Sequence, residues 1–240
     1  MKVVNTILGY KDLVLVQDTD MFRFSLDTIL LARFVKLNSK TKMIADFGTN
    51  NAVIPLIISK YTNAKIVGVE IQKDAFNIAL ENIKKNNLQS RIEVLNQNIK
   101  DFAKSQNHNF DIVICNPPFF KVNEGSNLNE KSELLTPARH ETHINLEEII
   151  ACAAKCLKQG GRFSIVHRAE RFEEILNHFN KYEIKAKNLQ FVYSKAGQKA
   201  KTVLIDGIYQ GNSGITILPP LIAHYDNGEY TKEVLELFED

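Results

Sequence analysis

Apolar and polar positions alternate with period two across "TILGYKDLVLVQD", which predicts two short strands folded about a turn at Gly9. The period then changes. In "SLDTILLARFVKL", Leu26, Ile29, Leu30, Phe34 and Leu37 share one helical face, and Ser25 stands where an N-cap belongs. From there strands and helices take turns. "KMIADF" reads as a strand and 53–61 as a helix, with Pro55 tolerated in its first turn. "AKIVGVE" is a strand, "KDAFNIALENIKKNN" an amphipathic helix and "RIEVLNQ" a strand. A short polar helix near 99–104 leads to the strand "FDIVICN", which the Pro117-Pro118 pair ends. After a long loop, "NLEEIIACAAKCLK" predicts a helix stopped by Gly160-Gly161. "RFSIVH" is a strand, 169–180 a helix, and "EIKAKNLQFVYS" and "KTVLIDGIYQ" two strands joined through Gly197.

Alternating strands and helices imply an α/β fold with a doubly wound, mostly parallel sheet. The last two strands have no helix between them and are expected to form an antiparallel hairpin at the sheet end. Residues 1–40 read as a hairpin and helix extension, a lid within the same domain as 41–240. No internal repeat, low-complexity tract or flexible linker interrupts the chain. The loop 116–144 is long enough to suggest function.

Composition narrows the picture. At 240 residues, with 44% hydrophobic and 24% charged side chains, the chain can bury a full core as an ordinary soluble globule. A net charge of +2 does not by itself imply nucleic-acid binding. No apolar run has membrane length, and the N-terminus does not look like a signal peptide. Cys115, Cys152 and Cys156 form no CxxC pattern and are odd in number, which suits a reduced cytoplasmic compartment and buried thiols.

Ligands of open α/β sheets bind at the carboxyl ends of the strands, and four candidates fall there. Asp46 and Gly48 end one strand within "DFGTNNAVI", a turn that carries Asn50 and Ala52 where cofactor loops commonly have glycine. If both keep glycine geometry, the cost is roughly 1–2 kcal/mol each, less for Asn. Glu70, 24 residues after Asp46, is either a ribose-gripping carboxylate or a solvated acid at a strand end. Asn98 follows the next strand.

Asn116-Pro117-Pro118-Phe119 ends the fourth. Two prolines fix φ and remove two backbone donors, and Asn116 is held extended because it precedes proline. The result is a stiff turn that presents an amide oxygen, unsatisfied carbonyls and an aromatic ring. It is either a plain rigid turn with a Phe119 plug or a clamp for the exocyclic amino group of a planar ring. In the second case the Asn116 oxygen and the Pro117 carbonyl each accept one N–H while Phe119 stacks on the ring.

The strand order, Glu70 and "NPPF" resemble a class I S-adenosylmethionine (SAM) dependent methyltransferase, a Rossmann-like fold, acting on an amino group. "QDTDMFRFSLDTILLARFV", "DFGTNNAVIPLI", "NPPFF", "ARHE", "GGRFSIVHRAERFEEIL" and "LPPLIAHYDNGEYTKE" extend the resemblance to the bacterial tRNA-Val adenine-N6 methyltransferase family, over residues of about 10 to 233. That family modifies the adenine beside the anticodon. The resemblance implies that Asp46, Gly48 and Asn50 shape the floor under the methionine part of SAM and that Glu70 holds its ribose. It implies that Asn98 meets the cofactor adenine and that Asn116, Pro117 and Phe119 orient the target adenine. Phe24, Ser25 and Asp27 would lie over the cofactor as a lid. Asn50, Ala52 and Asn98 depart from the family pattern, and an uncharged Asn98 implies a weaker bond to the cofactor.

Arg139 and His140 follow the long loop, either folded over the active site or touching RNA phosphate, or in a plain surface loop. His140 and His143 lack the spacing and companions of a zinc site, so no metal is expected. Lys195, Lys199 and Lys201 fall in a lysine-rich segment with interleaved aromatics. They suit a tRNA partner with an unstacked base, or they protect an exposed strand edge. The leading expectation is a cytoplasmic SAM-dependent tRNA adenine-N6 methyltransferase, a monomer or weak homodimer. The alternatives are a glutamine-N5 protein methyltransferase and a non-catalytic RNA-binding protein on the same fold.

Overall fold

The computed structural model describes residues 2–18, 25–117 and 144–238. Phe24, Pro118, Phe119, Arg139, His140 and His143 lie outside them.

Strands β1 (Lys2–Ile7) and β2 (Tyr10–Asp18) form the N-terminal hairpin, turning at Gly9 with φ +83°. A Cβ on Gly9 would come within 2.1 Å of the Phe238 carbonyl oxygen, so the turn needs glycine for clearance as well as for its φ. Helix α1 (Leu26–Phe34) follows and is buried along most of its length. Ser25 has N-cap geometry, but its side chain makes no capping bond.

The remaining elements are β3 (Met43–Phe47), α2 (Val53–Ser59), β4 (Lys65–Val69), α3 (Lys73–Lys85), β5 (Ile92–Leu95), α4 (Ile99–Ser105) and β6 (Phe110–Cys115). Then come α5 (Leu146–Cys156), β7 (Leu157–Arg168), a single 3-10 turn at Ala169–Arg171, α6 (Phe172–Lys181), β8 (Ile184–Tyr193) and β9 (Ala200–Tyr209). Two short strands, β10 (Thr216–Ile217) and β11 (Leu221–Ile222), and helix α7 (Lys232–Glu236) end the described chain.

In the main sheet the order is β10-β8-β9-β7-β6-β3-β4-β5, with β11 also on β8. Strands β5, β4, β3, β6 and β7 run parallel, and β9 lies antiparallel between β7 and β8. The strand order reverses between β3 and β6, which opens a crevice at their carboxyl ends.

Period-two alternation in the strands builds two cores. Ile44, Ile112 and Ile114 face α1, α2, α3 and the N-terminal hairpin, whereas Ala45, Phe47, Val113 and Cys115 face α4, α5 and α6. Cys115 and Cys156 are buried and Cys152 is half-buried. No helix among the described residues is long and apolar enough to cross a membrane.

One expectation needs correction, and one alternative loses its premise. The double glycine does not stop α5. That helix ends at Cys156, because Leu157 turns extended (ψ 136°) and pairs with Phe110, burying its side chain completely. Gly160, at φ +76°, therefore lies inside β7. Nor does the β8–β9 hairpin leave β8 as an open edge. Strand β10 pairs with Asn188 and Leu189, and β11 pairs with Val192 and Tyr193.

Gly68 in β4 is forced by its neighbour. An added Cβ would meet Thr49 Cγ2 at 2.8 Å and Oγ1 at 2.9 Å. Gly68→Ala should therefore cost about 1–3 kcal/mol by overpacking, read as a lower urea midpoint, and an unchanged midpoint would contradict it.

Candidate active site

The turn after β3 is built on backbone conformations that few side chains tolerate. Gly48, Asn50 and Ala52 have φ of +69°, +50° and +65°. Both non-glycine residues thus keep the glycine geometry, at a cost of roughly 1–2 kcal/mol for Ala52 and less for Asn50. The turn is held on β4. The N–H groups of Gly48 and Thr49 donate to the Val69 carbonyl at 2.9 and 3.2 Å. A Cβ on Gly48 would meet nothing within 4 Å, so the loop backbone is open to an approaching ligand.

Two buried carboxylates flank this loop. Asp46, at 1% exposure, accepts a bond from Thr49 Oγ1 at 2.6 Å through Oδ2. Its buried Oδ1 has no partner among the described residues. Burial pushes its carboxyl up to about 7, the Thr49 bond opposes the shift, and the Glu70 charge adds to it. Glu70 accepts the Asn50 N–H at 2.9 Å on one oxygen and the Gln72 N–H at 2.8 Å on the other. Its carboxyl is also raised, by burial, against the pull of those backbone donors.

The unpaired Asp46 Oδ1, the Glu70 carboxyl and the open Gly48 backbone suit a ligand that carries cationic and hydroxyl groups. A sulfonium nucleoside with an ammonium group and ribose hydroxyls fits this donor and acceptor set.

Asn98 stands at the N-terminus of α4, where its Oδ1 accepts the Lys100 N–H at 2.8 Å. One lone pair of the oxygen expected to face the cofactor adenine is therefore committed to a helix cap. Asn96, which sequence reasoning passed over, donates to the Glu70 and Ile71 carbonyls at 2.8 and 3.0 Å and fixes the turn after β4.

Across the switch point, Asn116 follows β6 and is half-buried, with Pro117 buried behind it. The Asn116 Nδ2 donates to Thr28 Oγ1 on α1 at 3.0 Å. In this arrangement the amide nitrogen faces α1 and Oδ1 faces away from it. Thr28 carried no signal in the sequence, since it lies 88 residues away from its partner.

Asp27, expected over the cofactor, reaches β9 at the same sheet edge. Thr202 Oγ1 donates to its Oδ1 at 3.3 Å. Burial raises its carboxyl, while the Thr202 bond and the charges of Lys201 and Arg168 oppose that rise. The N-terminal end of α1 thus spans β6 and β9 beside Asn116, on the side of the crevice away from β4 and β5.

Because β9 runs antiparallel to β7, the 194–199 turn lies at the same sheet edge as these residues. Lys199 and Lys201 are exposed, and the Lys195 Nζ donates to the Asp226 carbonyl at 2.8 Å. Among the described residues, no group of three or more His, Cys, Asp or Glu is arranged to hold a metal ion.

Comparison with known proteins places this geometry. The chain is similar to the tRNA1(Val) (adenine(37)-N6)-methyltransferase of Cytophaga hutchinsonii, 27% identical over 203 residues, covering 83% of this chain and 82% of the relative. The protein of that name from Flavobacterium psychrophilum is 25% identical over 235 residues, covering 96% and 97%. Among solved structures, a predicted O-methyltransferase from Agrobacterium tumefaciens superposes with a TM-score of 0.69 at 21% identity, covering 88% of this chain and 95% of that one. Geranyl diphosphate C-methyltransferase from Streptomyces coelicolor superposes with a TM-score of 0.56 at 9% identity, covering 76% of each. Likenesses at this identity show the fold alone, and one of these proteins is named for oxygen and the other for carbon. The methyltransferase small domain model matches residues 23–194, which carry Asp46, Gly48, Glu70, Asn98 and Asn116. The chain belongs to the methyltransferase small domain family.

Proposed function

We propose that the chain is a SAM-dependent methyltransferase acting on the N6 amino group of adenine 37 in the anticodon loop of tRNA-Val, as a cytoplasmic protein that is a monomer or weak homodimer. The observation that carries the acceptor assignment is the placement of Asn116 and Pro117 at the switch point, with the amide nitrogen turned to Thr28 and the oxygen away from α1. An amide oxygen beside a proline carbonyl suits an N–H-bearing acceptor, and the relatives named for adenine-N6 transfer favour adenine among such groups.

In this reading the cofactor supplies an electrophilic methyl group. Asp46 and Glu70 bind its cationic and ribose parts, with Gly48 and Asn50 giving backbone access and Asn98 flanking its adenine. Asn116 Oδ1 and the Pro117 carbonyl accept the two amino hydrogens of the target base. The nitrogen gains positive charge as it attacks, and two fixed carbonyl dipoles stabilise that charge. The methylated amine then loses a proton to water, so positioning supplies most of the rate. Phe119 would stack on the extruded base, and Phe24 and Ser25 would close over the site beside Asp27.

For tRNA, the covered edge of β8 weakens the edge-protection account of the lysines, and Arg139 and His140 would join them on RNA phosphate. Charge reversal of Lys195, Lys199 and Lys201 together should weaken tRNA binding and lower the slope of log K against log salt by about 2 or more. An unchanged slope would return them to a structural role.

The deciding experiment is transfer of labelled methyl from SAM into total tRNA and, separately, into protein extract. Label recovered as N6-methyladenosine supports the proposal. Label confined to protein glutamine points to the N5 alternative, and no SAM binding by folded protein points to a non-catalytic RNA binder.

A further inference from the structure

We propose that Asn82, on α3, is a positioning residue for the cofactor loop, and that through it the N-terminal hairpin sets cofactor affinity. This rests on the methyltransferase reading above.

Asn82 is fully buried on the apolar face of α3. Its amide meets Val16 of β2 as a neighbouring strand would. The Val16 N–H donates to Oδ1 at 2.6 Å, and Nδ2 donates to the Val16 carbonyl at 3.1 Å. The same Nδ2 donates to the Asn51 carbonyl at 2.9 Å. Asn51 is buried between the two left-handed non-glycine residues of the loop, Asn50 and Ala52. A loop held in conformations that its side chains disfavour relaxes unless a contact over-determines it. Asn82 is such a contact at the centre of the strained pair, and the residue before Asn51 gives its own N–H to Glu70 at 2.9 Å. The chain of bonds therefore runs from β2 through Asn82 and the loop to the ribose-binding carboxylate.

One helical turn on, Asn86 supplies an internal control. It makes the same pair of bonds to Val14 of β2, at 2.9 and 2.7 Å. Its Nδ2 also donates to the Asn82 carbonyl, at 2.8 Å, and not to the loop. The two asparagines share hairpin docking and differ in the loop contact.

SAM titration by calorimetry on wild type, Asn82→Ala and Asn86→Ala separates these roles. Both variants should have lower urea midpoints. Asn82→Ala should weaken SAM about 10- to 100-fold, as expected when a buried carbonyl loses its donor, and Asn86→Ala by no more than about threefold. Adding Asn50→Gly and Ala52→Gly to Asn82→Ala should restore most of the affinity, because glycine holds the loop geometry without strain.

Equal weakening by both variants, or none by either, overturns the inference while leaving the methyltransferase reading intact. Wild type that binds no SAM sinks both. Should Asn82→Ala fail to fold, hydrogen exchange on wild type decides. Saturating SAM should slow exchange of the Val16 amide more than that of Val14, and equal rates of slowing overturn the proposal.

Discussion

Asn116→Ala should reduce the rate of methyl transfer roughly 100- to 1,000-fold at saturating SAM and tRNA, the range seen when one preorganised transition-state contact is removed. Calorimetric SAM affinity should stay at the wild-type level, because the Asn116 amide is spent on Thr28 and not on the carboxylate side of the crevice. Thr28→Val tests the same arrangement at one remove. It keeps the shape of the side chain and deletes the hydroxyl, so the amide can rotate. A loss of roughly 3- to 10-fold is expected, the value of one neutral hydrogen bond, with Thr28→Ser near wild type. Single-turnover rates with labelled SAM measure all three variants. Full turnover by Asn116→Ala would remove this residue from the mechanism.

The second large effect is electrostatic and belongs to Asp46. Its folded carboxyl is pushed up to about 7 from an ordinary value of 3.8. Between those two pH values the folded state holds a proton that the unfolded chain has released, so stability falls as pH rises through that window. At about 1.4 kcal/mol per pH unit the loss approaches about 4 kcal/mol and is complete about one pH unit above 7. Urea melts at pH 5 and pH 8 measure it against Asp46→Asn, which carries no proton to lose. The variant should be the more stable protein at pH 8 and should show a pH dependence smaller by most of that amount. Cofactor binding should reverse the sign. A bound cation favours the ionised carboxylate, so SAM affinity should climb between pH 5 and 7 and binding should release a proton. Calorimetry in buffers of different ionisation enthalpy would detect that proton, and a buffer-independent heat would count against the assignment.

Residues at strand ends were legible because the apolar runs that precede them are unambiguous. "KMIADF", "AKIVGVE" and "FDIVICN" fix where Asp46, Glu70 and Asn116 emerge, and chain order fixes that they share an edge. Side chains acting across long separations were not legible. Thr28 looks like one more polar position on an amphipathic helix, and Asn82 like a polar flaw in the buried stripe of α3. Each makes sense only once its partner is beside it.

The double glycine misled for a related reason. It is a good helix stop by composition, but the buried pairing of Leu157 with β6 ended the helix first. Strands β10 and β11 are two residues each, too short for any periodicity to announce them. Asn98 was legible by position, but not the helix-cap bond by which α4 claims one lone pair of its oxygen.

The contact of Phe238 with Gly9 has a consequence for how the protein is made. Among the described residues, the core behind α4, α5 and α6 draws on nothing later than Tyr209, so its parts are all available before the final strands are synthesised. The core that backs the cofactor loop includes Ile7, Tyr10, Val234 and Phe238, from both ends of the described chain. During synthesis β2 can dock on α3 through Asn82 and Asn86 early, but the packing of Phe238 against the Gly9 turn must wait until residue 238 has cleared the ribosome. A stalled or truncated chain would carry one finished core and one that still lacks its last apolar side chains.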